Sequence, residues 1–397
     1  MRHMPNDTIT VTLPDFGQSM TVVGDPGFPI GAWGGNDTLT ATILSVNAFV
    51  TLVGEDTTMH GDSHGGNDSL VANVDFPFSG ATVIGDAQFM FDNATGGNDT
   101  LYAEDRGHFR SNIAIYGDAG SDMSGDTRGG NDSLTGVTGG RAFDNVFSGD
   151  AGGSMTDNAL GGNDTLSVTE TGLESVARLS GDAVGPMTDN ARGGNDNLSL
   201  TVSGDMQIAG GSLSGDSLTS LTDNAHGGND ILTVVAGGEP SIFGTSVIGD
   251  AASMSGSAHG GNDVLNGGAL TDSLYGDAQS YAPSAPGSIT GGKDILNGGG
   301  GNDRLWGGPN NDTFVFKTGS GIDVINDFDQ GNLAVGSTAP EHDVINVHDY
   351  GFASWAALSS LISDDSSGNA VIQLTANDTI TLNGVHTAAL HSTDFIV

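Results

Sequence analysis

The stretch Gly161-Gly162-Asn163-Asp164-Thr165-Leu166-Ser167-Val168-Thr169 runs on to Leu179-Ser180-Gly181-Asp182 and then to Gly193-Gly194-Asn195-Asp196. It contains the plan of the chain. A Gly-Gly-Asn-Asp phrase opens the unit and a segment alternating apolar and small polar residues follows. A Gly-Asp pair comes just past the midpoint of the unit, and the shorter leg after it leads back to the phrase. The phrase also stands at Gly34–Asp37, Gly65–Asp68, Gly96–Asp99, Gly129–Asp132, Gly227–Asp230, Gly260–Asp263 and Gly300–Asp303. From Asp37 through Asp68, Asp99, Asp132, Asp164, Asp196 and Asp230 to Asp263 the step hardly varies. A fixed period of this size identifies a repeat architecture in which each unit packs on its neighbours.

The segments between the acidic turns have strand character. Leu39, Leu70, Leu101, Leu134, Leu166, Leu198, Leu232 and Leu265 each stand two residues after an Asn-Asp. Val22, Leu52, Val83, Ile115, Phe147, Leu179, Leu213, Val247 and Leu274 each stand three before a Gly-Asp aspartate or its equivalent. Alternation such as Thr38–Thr42 is that of a strand with one buried face. These features predict an all-β fold, a right-handed parallel β-solenoid with about 32 residues per coil and a narrow core of Leu, Val and Ile. Two acidic turns joined by two arms would make each coil. Asn6-Asp7-Thr8-Ile9 repeats the pattern of Asn36-Asp37-Thr38-Leu39. The solenoid is therefore expected to begin near residue 6 without a cap, and an open first coil points to stacking on another molecule.

Composition narrows the function. The chain of 397 residues carries 10 Lys plus Arg against 49 acids, a net charge of −39. Only Glu55, Glu104, Glu170, Glu174, Glu239 and Glu341 are glutamates. Asp suits turns and hard-cation coordination, whereas Glu suits helix surfaces. Nucleic acid is excluded as a partner, because there is little to neutralise phosphates. The absence of cysteine excludes disulfides and thiol chemistry. The N-terminal residues form no signal peptide, and no stretch is long and apolar enough for a transmembrane segment. No HExxH, GxSxG or GxxxxGK[ST] motif occurs, and the repeats leave no room for a catalytic domain, so an enzyme is not expected.

The repeated acids point to a cation. The Asn-Asp positions are Asp7, Asp37, Asp68, Asp99, Asp132, Asp164, Asp196, Asp230 and Asp263. The Gly-Asp positions are Asp25, Asp86, Asp118, Asp150, Asp182, Asp216, Asp250 and Asp277, with Glu55 standing in the second of them. Like charges stacked about 5 Å apart cost roughly 1 kcal/mol per pair in water, and about 3 kcal/mol at an effective dielectric of 20. Over two columns that repulsion rivals the stability of a domain. Calcium between rungs reverses its sign, because it accepts 6–8 oxygen ligands in relaxed geometry. The carbonyls of Gly35, Gly66, Gly97, Gly130, Gly162, Gly194, Gly228 and Gly261 are expected to contribute. Asp92, Asp157, Asp189 and Asp223, four residues before a Gly-Gly, could be ligands or turn formers. His64, Arg128, Arg192, His226 and His259 stand just before a Gly-Gly. They read as charges that offset the acids, since arginine cannot ligate zinc.

Near the end of the repeats, Gly299-Gly300-Gly301-Asn302-Asp303-Arg304-Leu305-Trp306 and Gly307-Gly308-Pro309-Asn310-Asn311-Asp312-Thr313-Phe314-Val315 follow the pattern GGxGxDxUx. Asp294, Asp303 and Asp312 are nine apart, as are Asp263 and Asp272. This resembles the RTX, or haemolysin-type calcium-binding, repeats of secreted bacterial proteins. The match is strong over 263–316 and looser over 6–262. The resemblance implies that Asp272, Asp294, Asp303, Asp312 and the Gly301 carbonyl join the calcium set. Glu55, Lys293 and Asn310 depart from the pattern. Residues 317–397, with Asp323-Val324-Ile325, a helix expected around Ala353–Ile362 and strands near Val371–Leu374 and Thr379–Leu382, end in Asp394-Phe395-Ile396-Val397. They are similar to the C-terminal domain of type I secretion substrates.

The expected organisation is a long-repeat calcium-binding solenoid over 1–290, nonapeptide turns over 291–316 and a secretion and capping domain over 317–397. The expected function is a secreted calcium-binding structural protein, extracellular or at a bacterial surface. It would be exported by type I secretion machinery, fold on calcium outside the cell, and assemble head to tail as a homo-oligomer. The alternative is an extracellular adhesin or ligand-binding solenoid. Its binding arms would be sought at Gly107–Asn112 or Pro283–Pro286. The position after Asn-Asp is too irregular for an ice-binding threonine column.

Overall fold

The computed structural model describes residues 2–106, 109–139, 144–172, 175–203, 211–237 and 244–397. It is a parallel β-solenoid of about ten turns with about 32 residues per coil. One thirteen-stranded sheet collects the segments that follow Asn-Asp in the long coils and continues from Thr8–Leu13 to Phe395–Ile396, whereas Arg304–Trp306, after Asn302-Asp303, falls in the other sheet. A fourteen-stranded sheet collects those that precede each Gly-Asp, beginning at Ser19–Val23. Pairing is in register: Leu39 lies beside Leu70, Leu70 beside Leu101 and Leu134 beside Leu166. Thr38–Ile43 shows why. Leu39, Ala41 and Ile43 are fully buried while the threonines between them face outward, and a slip by one residue would exchange the two faces.

The long coils contain a second core that the sequence reading missed. The leg from Gly-Asp back to Gly-Gly-Asn-Asp is not a plain arm but a lobe of its own. It is filled by an Ala-Met-Ala column: Ala151, Met155 and Ala159 in one coil, Ala183, Met187 and Ala191 in the next, all fully buried. Met90, Met123, Met155 and Met187 pair directly from coil to coil. Methionine fits this place because its unbranched thioether fills an irregular space between small neighbours. The first lobe, between the two sheets, has the expected core of Leu, Val and Ile, with Phe147 and Phe314 added to it.

Asp294 to Asp312 is a short coil with a single lobe, the reduced period that the nonapeptides announce. The later segment continues both sheets through Ile322–Ile325, Val344–Asn346 and Thr379–Leu382. The expected helix is Trp355–Ser359, shorter than its expected span. Trp355 stacks on Phe395 with centroids 5.0 Å apart, and Phe395 is buried, so Asp394–Val397 is built into the last rung. No described helix is long and apolar enough to cross a membrane.

Candidate metal centre

Both acidic columns lie at the waist between the two lobes, where the first sheet begins and the second ends. The sequence reading separated them around the coil, but they face each other as one double ladder. Each lobe is a closed loop that returns the chain to the same line, so the longer leg and the shorter one end at one place. The Gly-Asp glycines show the closeness. A Cβ added to Gly85 would land on the Gly117 carbonyl and on Asp99 Oδ2, and one on Gly149 would meet Asp164 Oδ2.

Within the ladder the work of each oxygen is divided. Oδ1 of each Asn-Asp aspartate accepts the backbone N–H of the corresponding aspartate one coil earlier: Asp68 to Asp99 at 2.7 Å, Asp132 to Asp164 at 2.7 Å, Asp164 to Asp196 at 2.6 Å. In the opposite column the carboxylates accept from the second glycine of the phrase, as in Gly97 to Asp86 at 2.9 Å and Gly194 to Asp182 at 2.8 Å. Most of the remaining oxygens have no donor. Oδ2 of Asp37, Asp68, Asp99, Asp132, Asp164, Asp196, Asp230, Asp263, Asp294 and Asp312 is buried without a partner, as is one oxygen each of Asp25, Glu55, Asp86, Asp182, Asp216, Asp250 and Asp277. Asp118 and Asp150 spend both oxygens on Gly130 and Gly162. Asp7, the first rung, is half-buried and gives its N–H to Asp37.

Burial pushes these carboxyls up. Asp37 rises to about 6 and Asp68 to about 8; burial leads, with neighbouring aspartates adding to it. Asp99, Asp132, Asp150, Asp164 and Asp196 stand well above the ordinary range, again by burial and then by the charges of nearby aspartates. Asp182 and Asp250 are held near 6, because N–H donors and adjacent carboxyls offset part of the burial. A carboxylate without a donor in a dry interior either neutralises or binds a cation. The donor set here, carboxylate oxygens at every rung with glycine carbonyls alongside, is that of a hard cation and suits calcium.

The glycines of the phrase serve space and not torsion. The carbonyls of Gly35, Gly66, Gly97, Gly130, Gly162, Gly194 and Gly228 stack against the next coil's glycine, where a Cβ would overlap them, and Gly261 continues the column. None of these glycines has a positive φ, so what they allow is close backbone approach.

Several expected sites move. Gly301, Asp272 and Asp303 are not in the double ladder. They line the far turn of the first lobe, where Asp272 N–H donates to Asp303 at 2.8 Å and Asp303 N–H to Asp323 at 2.9 Å. One nonapeptide is half of a single-lobe coil, so alternate nonapeptide aspartates fall on opposite edges. Glu55 keeps its place, fully buried and accepting from Gly66. Lys293 changes only the outer asparagine column, since Asp294 remains in the ladder. Asp92, Asp157, Asp189 and Asp223 are exposed, with φ of 59 to 62°, which makes them turn formers. The basic residues before Gly-Gly form an outward column in which His226 stacks on His259 at 4.5 Å.

The sequence reading named Asp312 but missed Glu341, Asp343 and Asp327 as its neighbours. Asp312, Glu341 and Asp343 bring carboxylate oxygens within 4.8 Å of one another, and Asp312 N–H donates to Asp343 at 2.9 Å. Asp327 takes the N–H groups of Gly307 and Gly308. The sequence signals were Asn326-Asp327 and Asp343-Val344-Ile345, which repeat the ladder's local pattern outside its period. Searches against protein-family models, curated proteins and solved structures returned no match.

Asp164→Asn separates charge from shape, because asparagine preserves the acceptor for Asp132. With saturating calcium the variant is expected to melt several degrees below the parent. In chelator at pH 5 it should melt at or above it, since a costly buried acid is gone. Thermal circular dichroism reads both; equal shifts in the two conditions would count against metal at this rung.

Proposed function

We propose that this chain is a secreted calcium-binding structural repeat protein that folds when calcium fills the double ladder outside the cell. The observation that carries this is the paired column of buried carboxylates, most of whose rungs leave one oxygen without a donor. In a calcium-poor compartment the acids repel and the chain stays unfolded; where calcium is plentiful, metal binding contributes the folding free energy. The nonapeptide motifs and their short coil support a kinship with RTX repeats and export by type I secretion. The reading assigns no catalytic step.

Assembly into filaments or a surface layer extends the same physics, because the in-register pairing that joins coil to coil can also join chain to chain. Calcium-loaded protein at high concentration should sediment as oligomers and show filaments or sheets in negative stain, with both lost in chelator. A calcium-loaded monomer at every concentration would remove the assembly clause and leave the calcium clause standing.

A second reading has one observation in its favour. The outer face of the first sheet carries three hydroxyl columns and not one: Thr8, Thr10 and Thr12 in the first coil pair with Thr38, Thr40 and Thr42 in the second. Val71, Asn73, Tyr102 and Glu104 interrupt the grid in the next two coils. A flat lattice ligand such as ice would use this face, and ice-affinity partitioning of the folded protein tests it. Of the arms considered for an adhesin, residues 107 and 108 lie outside the described residues. Tyr281–Pro283 is a strand of a small third sheet.

A further inference from the structure

The third inward column of the first sheet runs Leu13, Ile43, Val74, Asp105, Thr138, Glu170, Val202 in register. Its first three members and its last are apolar, as a position inside the first lobe requires. In coils four to six it turns polar, although the residues remain buried: Asp105 is 1% exposed, Thr138 and Glu170 0%. Across the lobe stand Asn145 and Ser175, also 0% exposed. Thr138 Oγ1 and Ser175 Oγ are 2.8 Å apart, and Asn145 Nδ2 donates to Ser175 Oγ at 3.5 Å. This group belongs to the lobe interior, apart from the ladder at the waist.

Glu170 decides what the group is for. Both of its carboxylate oxygens are buried with no hydrogen-bond partner. The Ala177 N–H on the facing strand makes no hydrogen bond of normal geometry with it and offsets only part of the burial that pushes this carboxyl up to about 7. An ionised carboxylate so placed costs several kcal/mol unless something compensates it. A purely structural residue here would be valine, as at the equivalent positions 74 and 202.

We propose that coils four to six enclose a separate hard-cation site inside the first lobe, with the Glu170 carboxylate as its charged ligand and the Thr138 and Ser175 hydroxyls beside it. Asp105, one rung beyond Thr138, places a second carboxyl in the same column. Oxygen donors alone, with a carboxylate among them, select a hard divalent ion such as calcium over a soft metal. The site is single, whereas the ladder repeats with every coil.

Native mass spectrometry of calcium-loaded protein counts bound ions as integers. Glu170→Gln and Glu170→Val should each hold one calcium fewer than the parent, with the ions of the ladder retained. The glutamine variant is isosteric, and the valine variant restores the apolar column, so a folding failure in one leaves the other to decide. An unchanged ion count in either folded variant overturns the proposal and leaves Glu170 a neutral buried acid. A parent chain that binds no calcium at all would overturn the ladder reading as well, so the two failures are distinguishable.

Discussion

Chelating calcium at pH 8 will unfold the solenoid, and returning calcium will restore it. The expectation follows from the direction in which burial moves the ladder carboxyls. In the unfolded chain they titrate near 4. In the fold, burial holds Asp37 near 6 and Asp68 near 8, and it pushes Asp132 and Asp164 well above the ordinary range. Below about 4 both states are neutral and nothing is lost. As pH rises the unfolded chain sheds protons that the fold retains, so metal-free stability falls, with the loss complete only above the folded values. Metal-free protein should therefore keep its β spectrum at pH 5 and lose it as pH climbs through 6 to 8. Calcium displaces the same protons, so its apparent affinity should rise through that window. Magnesium should substitute poorly, because it demands a tight octahedron and gives up water reluctantly. Far-ultraviolet circular dichroism across pH, with and without chelator, is the measurement. A metal-free β spectrum unchanged at pH 8 would remove calcium from the account of folding.

Gly130→Ala will be among the most damaging single substitutions in the chain. The added Cβ would overlap the Gly97 carbonyl oxygen of the preceding coil. Neither side can yield. Gly130 N–H is bound to Asp118 at 2.9 Å, and Asn131 N–H is bound to Asn98 Oδ1 at 2.6 Å. A loss above about 4 kcal/mol is expected, in the range reserved for a named steric or burial fault. Gly27→Ala is the control. Gly27 has φ +80° and open space around it, so the variant incurs only backbone strain of about 1 kcal/mol. Denaturant unfolding in saturating calcium should separate the two by several-fold. Equal losses would mean that glycine is required throughout for torsion and not for contact.

The contrast shows which features could be read along the chain. The Leu39 to Leu265 column was legible because a strand with one buried face writes its burial as alternation, and the period fixed which leucines meet. The Ala-Met-Ala lobe was not legible in that way. Its apolar residues stand three or four apart in a leg that forms few regular strands, so they match no single template. Asp303 carried the same four-residue phrase as Asp263 and still joined a different edge. The shorter single-lobe period decides that, and the phrase does not.

By itself the sequence determined a parallel solenoid of nearly constant period, its leucine core, and an acidic residue at two turns of every coil. All of these are properties of spacing, and spacing is one-dimensional. Only the tertiary structure decided that the two acidic turns are one site. It also decided that the glycines admit a neighbouring backbone, and that Glu170 lies inside the first lobe with neither oxygen hydrogen-bonded. Each of these depends on where a closed loop brings its ends and on what the next coil places against them. Those distances arise only when the coils stack.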